Sequence, residues 1–410
     1  MSTLLSQIGH ALTEGKLRAD AAENIRTMLS GEESDFVARV IGELVKDNAW
    51  EELNDRFYKT LAFGTGGLRG RTIGKIVTAA ERGTPTALGR PEFPCVGTNA
   101  MNYFNVARAT RGLTSYIKKW RARKGMDGRA KIVIAHDPRH FSNQFARLAA
   151  ETASAEGCDA IVFDGPRSTP ELSFAVRSLK ADAGIVITAS HNPPHDNGYK
   201  VYFNDGAQVV EPHASGIIAE VNAARATRLS NEKSDSSGRG DIATLGGEID
   251  RAYMERLDTL ILRREVIAQA RDLKIVYTPI HGTGGIIVKP MLTKLGLSFR
   301  VVPEQDHVDG RFPTVKSPNP ENAEALNLGI VLARKENADL LAATDPDCDR
   351  LGVAVRTASA EMKLLSGNQI GSLLAWYRVK TLFNLGILTK ENASRGVIIK
   401  TFVTTDLQKM

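Results

Sequence analysis

Cysteine is scarce in this sequence. Three residues, Cys95, Cys158 and Cys348, are scattered through 410 positions with no CxxC pair. That spacing argues against a disulfide framework and a structural zinc site, and fits a reducing compartment. Long hydrophobic runs are missing too: no stretch approaches the roughly 18 apolar residues of a membrane span. The opening MSTLLSQIGHALTEGK has no basic segment followed by a long apolar core, so it does not read as a secretory signal. Charge of one sign is nearly absent. The 53 basic residues are interspersed with 47 acidic ones for a net charge of +6, with no run of five or six like charges, which argues against a nucleic-acid arm. These absences predict a cytoplasmic protein without membrane or nucleic-acid partners, and they leave oligomeric state unread.

What is present is ordinary globular material, 42% hydrophobic and 24% charged, in a chain long enough for two or three domains. Up to about residue 60, apolar positions such as Ile25, Met28, Leu29, Phe36, Val37, Val40, Ile41 and Leu44 recur at three- and four-residue steps, predicting an N-terminal helical cap. From about 131 the rhythm changes. The runs 131–137, 159–165 and 183–190 read as buried strands separated by helices. The polar, Ser- and Gly-rich stretch 226–247 reads as a surface loop or linker. A second set follows, with strands at 273–280, 298–304 and 338–345, a hairpin around 350–365, a helix from about 368 and a last strand over 396–404. The expected class is α/β, with mixed, largely parallel sheets covered by helices. The similar rhythm of the two blocks suggests related domains.

Three motifs carry chemistry. TASHNPPHDNGYK (188–200) places Ser190 at the carboxyl end of a strand, where open α/β sheets bind ligands. A serine hydroxyl needs help to act as a nucleophile, and His191 and Lys200 are close enough in sequence to give it. ATDPDCDR (343–350) sets Asp345, Asp347 and Asp349 at alternate positions after a buried strand, where they can converge on a hard cation such as Mg2+. Arg350 is placed to offer a planar fork to a phosphate or carboxylate. FGTGGLRG (63–70) combines glycines that let backbone approach an anion with the fixed charge of Arg69. The segments 136–142 and 277–285 end predicted strands and suit site walls, although His136 and His281 read equally well as structural histidines.

Together these residues resemble the α-D-phosphohexomutase superfamily. FGTGGLRG resembles its N-terminal FGTxGxRG segment, TASHNPPHDNGYK its phosphoserine loop and DPDCDR its DxDxDR metal loop. SGNQIGSLLAWY (366–377) and KTFVTTDL (400–407) resemble the opening of its third domain. Met101-Asn102 and NGYKVY look closest to the phosphoglucomutase branch that includes phosphopentomutases. The resemblance implies a helical extension over 1–60, a phosphoserine domain over 61–240, a metal-loop domain over 241–364 and the start of a third domain over 365–410. It implies a phosphosugar mutase that interconverts hexose 1-phosphate and hexose 6-phosphate, glucose first among candidates, through a sugar bisphosphate. Catalysis would involve Ser190, Lys200, Arg69 and His191. Substrate would meet Arg69, Ser190, Lys200, Asp349 and Arg350. Mg2+ would be held by Asp345, Asp347, Asp349 and an oxygen of phosphorylated Ser190.

Two departures stand out. Cys348 occupies a place where a small apolar residue is usual. The sugar-recognising loop and the phosphate-gripping fourth domain of the family are not found in the sequence, so the chain reads as C-terminally truncated and impaired alone. The alternatives are a haloacid-dehalogenase-like phosphatase with Asp345 as nucleophile, or a non-catalytic Mg2+-binding fragment.

Overall fold

Apolar residues spaced along one face drive the first part of the chain into helices. In a computed structural model these are α1 (Ser2–Thr13), α2 (Ala19–Leu29), α3 (Ser34–Lys46) and α4 (Trp50–Phe57). The structure describes residues 2–30, 34–64, 66–84, 89–224, 238–400 and 404–406. The four helices close on a core of their own that includes Ile8, Ile25, Ile41, Leu53 and Phe57. One buried charge network fastens this cap. Arg56 on α4 pairs with Glu52 at 2.8 Å and with Glu81 at 2.6 Å, and Glu81 completes a capping box with Thr78 at the start of α5 (Ala79–Arg82).

The described chain separates into two units, Met1–Gly247 with Asp309–Arg311, and Glu248–Val308 with Phe312–Met410. The first unit continues through β1 (Leu68–Arg71), α6 (Tyr103–Arg123), β2 (Lys131–His136), α7 (Ser142–Ala155), β3 (Asp159–Phe163), α8 (Thr169–Ser178), β4 (Ala183–Ile187), β5 (Asp196–Phe203), α9 (His213–Ala223) and β6 (Ile242–Leu245). Its sheet has the order β1-β5-β4-β2-β3-β6. The four strands β4, β2, β3 and β6 run parallel, while β5 runs antiparallel to β4 and pairs antiparallel with β1 on its other side. Ile132, Ile134, Ile185 and Ile187 are fully buried against Leu113, Phe145 and Ile217 of the covering helices.

The structure adds three strands to the linear reading: β1, which begins within the glycine-rich segment, β5 and β6. β5 begins inside the NGYK motif, because Tyr199, Val201 and Phe203 alternate into the core. β6 lies within 226–247, so that stretch is not all linker. Only Leu245 of β6 is buried, which is why an apolar pattern was absent. Residues 226–237 of the same stretch lie outside the described residues.

The second unit contains α10 (Gly247–Asp258), α11 (Arg264–Gln269), β7 (Lys274–Thr278), α12 (Val288–Lys294), β8 (Ser298–Val301), α13 (Ala323–Lys335), β9 (Leu340–Thr344), β10 (Leu351–Arg356), β11 (Met362–Leu365) and α14 (Gly367–Asn384). Its sheet order is β11-β10-β9-β7-β8, with β9, β7 and β8 parallel and the β10–β11 hairpin antiparallel. The run β5-β4-β2-β3 in the first sheet thus repeats as β10-β9-β7-β8 in the second. The similar rhythm of the two sequence blocks has this topological cause.

The strand expected over 396–404 is not formed: 396–400 have no regular structure, and 401–403 lie outside the described residues. A strand needs a neighbour to satisfy its backbone groups, and none of the described strands pairs with this segment.

Candidate active site

Ser190 follows β4 at the carboxyl end of the sheet, and its backbone is left-handed with φ 54°. A non-glycine residue in that region is held there by its surroundings. The hold is visible. Asp137, at the end of β2, accepts the Thr188 hydroxyl at 2.6 Å, and Thr188 Oγ1 accepts the Ser190 amide at 2.8 Å. Arg139 pairs with Asp137 at 3.1 Å, both fully buried. The arginine fork then donates to the carbonyls of Ser190 (2.5 Å), Asn192 (2.5 Å), Pro193 (2.7 Å) and Asp196 (3.3 Å). One guanidinium thereby fixes the whole loop 190–196.

The residues named from the sequence gather around that loop. Ser190 Oγ lies 3.2 Å from His191 Nδ1. Arg69 on β1 stands opposite Gly198 on β5 and donates to Asn192 Oδ1 at 3.4 Å. Lys200 is two residues beyond Gly198 and paired with Val186 of β4, so Arg69 and Lys200 share one face of the sheet. Gly198 is needed where it is, since a Cβ there would meet the Thr188 carbonyl at 2.5 Å and that of Leu68 at 2.9 Å.

One glycine of 63–70 has a packing task. At Gly67, with φ 107°, a Cβ would lie 1.9 Å from the Tyr199 carbonyl. The residue brings β1 close to β5, a contact of backbone with backbone. Burial pushes the His136 imidazole below its usual range, and its Nδ1 lies 2.8 Å from the Asp137 carbonyl, a structural placement.

In the second unit Asp345, Asp347 and Asp349 follow β9, and their carboxylate oxygens can come within 4.8 Å of one another. Asp345 and Asp347 are buried and Asp349 is exposed. Asp345 Oδ1 accepts the amides of Asp349 and Arg350, each at 3.1 Å. This winds the loop back on itself, with Cys348 left-handed at φ 54°. Three hard oxygen donors at one point suit Mg2+ or a similar cation. Burial, followed by the nearby Asp345, pushes the Cys348 thiol up to about 12. Arg350 bonds to Glu321 at 3.3 Å in an exposed pair. Such pairs are worth little and exchange readily for an anion.

The loop after β7 braces this acidic loop. Thr283 donates through both its amide and its hydroxyl to the Pro346 carbonyl, each at 2.9 Å. Gly282 packs so closely that a Cβ would lie 2.5 Å from Pro346 Cα. His281 is fully buried and bonds to Thr314 Oγ1 at 2.9 Å, so its role is structural. Sequence reasoning missed Asp137, Arg139, Gly282 and Thr283. Their motifs had been noticed for their histidines, whereas the signal lay in the polar residues beside them.

Residues 95–228 match the model of phosphoglucomutase/phosphomannomutase α/β/α domain I, and residues 251–358 match that of domain II. The phosphoglucomutase of Staphylococcus saprophyticus is 35% identical over 372 residues, 89% of this chain and 60% of the relative. A human phosphopentomutase is 34% identical over 360 residues, 85% of this chain and 54% of the relative. The chain thus spans less than two thirds of the length of these relatives. A solved phosphoglucomutase/phosphomannomutase family protein from Burkholderia thailandensis covers 80% of this chain and 60% of its own, with a TM-score of 0.55 and 21% identity, and shares the fold. No helix among the described residues is long and apolar enough to cross a membrane. Two domain models in order, with relatives of more than 30% identity along most of the sequence, place this chain in the α-D-phosphohexomutase superfamily.

Proposed function

We propose that the chain performs phosphosugar mutase chemistry, exchanging a phosphoryl group between Ser190 and a hexose monophosphate, with glucose 1-phosphate and glucose 6-phosphate as the leading pair. The observation that carries this reading is the presentation of Ser190: a strained, buried serine at a sheet's carboxyl end, gripped through its loop by Arg139, with Arg69 bonded to Asn192 of the same loop and Lys200 on the same face of the neighbouring strand. Phosphoryl transfer asks mainly for positioning and charge neutralisation, and the clamped loop and its cations support a reading that supplies both. In the forward step the Oγ–P bond of phosphorylated Ser190 breaks as a sugar hydroxyl bonds to phosphorus. The hydroxyl proton leaves to a nearby base and a proton is delivered to the departing Ser190 Oγ, with His191 and Lys200 the candidates for these transfers, and Arg69 balances charge on the phosphoryl oxygens. The reverse step on the other phosphate of the bisphosphate regenerates phosphoserine.

Asp345, Asp347 and Asp349 would hold Mg2+, with an oxygen of phosphorylated Ser190 completing the set. When bound, the ion neutralises charge on the transferring group. Arg350, freed from Glu321, would contact the sugar phosphate. The test is incubation with glucose 1,6-bisphosphate and Mg2+, followed by phosphopeptide mapping. Acid-stable phosphate on Ser190, absent from Ser190→Ala, is the expected result. Hydroxylamine-labile phosphate on Asp345 would replace this reading with a phosphatase, and no label at either residue would leave a non-catalytic fold.

A further inference from the structure

A second basic feature adjoins Arg69 and has no part in the scheme above. Between the outer edge of β1, the end of α4 and residues 99–100 lies a cleft of about 330 Å³. Its walls bring Lys59, Arg69, Arg71 and Lys75 together with the buried Arg56. The two carboxylates on the same walls are already committed. Glu52 is paired with Arg56 at 2.8 Å, and Asp55 with Lys75 at 3.1 Å. Arg56 is further neutralised by Glu81 at 2.6 Å.

Three cations then remain without a carboxylate of their own among the described residues: Lys59, Arg69 and Arg71. Lys59 lies 5.0 Å from the centre of the Tyr58 ring, and Arg69 reaches only the Asn192 amide oxygen. Arg71 is half-buried, yet its guanidinium makes no hydrogen bond or ion pair with the described residues. Arg69 and Arg71 are two residues apart on one strand. Their side chains therefore leave the same face of β1 about 7 Å apart, one toward the Ser190 loop and the other deeper along the cleft. β1 is the last strand of its sheet, so nothing in the sheet covers its outer side.

Uncompensated guanidinium and ammonium groups converging on a polar recess recognise a phosphate dianion, because the arginine fork matches its oxygens and the clustered charge offsets its desolvation. We propose that this cleft is a phosphate subsite, with Arg71 and Lys59 as its principal ligands, that holds the second phosphoryl group of a small bisphosphorylated metabolite while the first lies at Arg69. The subsite lies wholly within the first unit. It deepens the mutase reading, and rests on it for the identity of the metabolite, by keeping a bisphosphate attached between its two transfers. Free inorganic phosphate is the other source of the same chemistry.

The experiment uses the Ser190→Ala chain, which cannot be phosphorylated, titrated by calorimetry with glucose 1,6-bisphosphate and, separately, with inorganic phosphate. Arg71→Gln and Lys59→Gln in that background should each weaken bisphosphate binding at least fivefold. Arg123→Gln, a charge-matched change at the end of α6, should leave it unaltered. Arg71 holds nothing else in place, so its variant should melt at the parent temperature. A variant that melts lower is replaced by Lys59→Gln as the deciding measurement.

Binding of inorganic phosphate alone, lost in the same variants, would retain the anion site and reassign its ligand. Equal bisphosphate affinity in parent, Arg71→Gln and Lys59→Gln would overturn the proposal. That failure is separable from failure of the mutase reading, which is decided by phosphoserine formation in the chain that retains Ser190.

Discussion

The loop after β4 and the loop after β9 occupy the same position in two sheets of matching order, yet they are held by opposite means. The serine loop is fixed by charge: buried Asp137 orients Arg139, which satisfies four loop carbonyls. The aspartate loop is braced through backbone groups, with Thr283 and Gly282 against Pro346 and the loop's own amides on the Asp345 carboxylate. In both units the brace comes from the loop after the first parallel strand, β2 or β7. On the proposed reading, the difference would follow from what each loop accepts. A serine that received a phosphoryl dianion would gain from a cation already locked beneath it. Carboxylates that were to attract a metal would lose by having an arginine locked among them, since it would satisfy them beforehand.

The strongest way to break this comparison is to remove the charged brace. Arg139→Met leaves Asp137 buried without its ion pair and four carbonyls without a donor, so a loss of about 3–5 kcal/mol in denaturant unfolding is expected. Phosphorylation of Ser190 should fail in the same variant. Arg139→Lys should regain only part of the loss, because an ammonium cannot span the loop. A variant as stable as the parent would show that the loop needs no charged clamp.

The next test concerns the cation proposed for the second loop. Saturating Mg2+ should raise the stability of the second unit by about 2.7 kcal/mol at one hundred times its dissociation constant, read as a rise in melting temperature. Asp347→Asn should abolish that rise. An equal rise in this variant would place the ion elsewhere.

A smaller effect is expected from the neutral brace. Gly282→Ala pushes a methyl toward Pro346 Cα, which should displace the acidic loop and weaken Mg2+ binding roughly 10- to 100-fold, as for other outer partners of metal ligands. Phosphate uptake at saturating Mg2+ should be less affected. Unchanged affinity would mean that the loop holds its own shape.

The smallest effect concerns the thiols packed in the first unit. Burial pushes Cys95 up to about 12 and Cys158 up to about 11, against about 8.5 for a free thiol. The folded state thus keeps the proton longer than the unfolded state. The stability this contributes is complete below about pH 8.5 and is lost as pH rises through 11 and 12. At pH 8 both thiols should react with a disulfide reagent only after unfolding, and rapid native labelling would contradict their burial.

Much of the site was legible in the sequence because its chemistry is local. Ser190 at a strand end, three aspartates at alternate positions and Arg69 in a glycine-rich run are each complete within a few residues. The braces were not legible, because Asp137 and Arg139 act on a loop some fifty residues away and Thr283 on one sixty-three residues away. β5 and β6 escaped for different reasons: one was hidden inside a motif read for its chemistry, the other carries a single buried residue.

Composition and pattern by themselves determined the α/β class, the helical cap and the family, since hydrophobic periodicity and short motifs are written in consecutive residues. Only the tertiary structure decided that Gly67 serves strand packing, that Arg56 is neutralised while Arg71 is left facing a cleft, and that a buried guanidinium holds the serine loop. Those outcomes depend on which distant groups share a desolvated space, and a linear pattern carries no record of that.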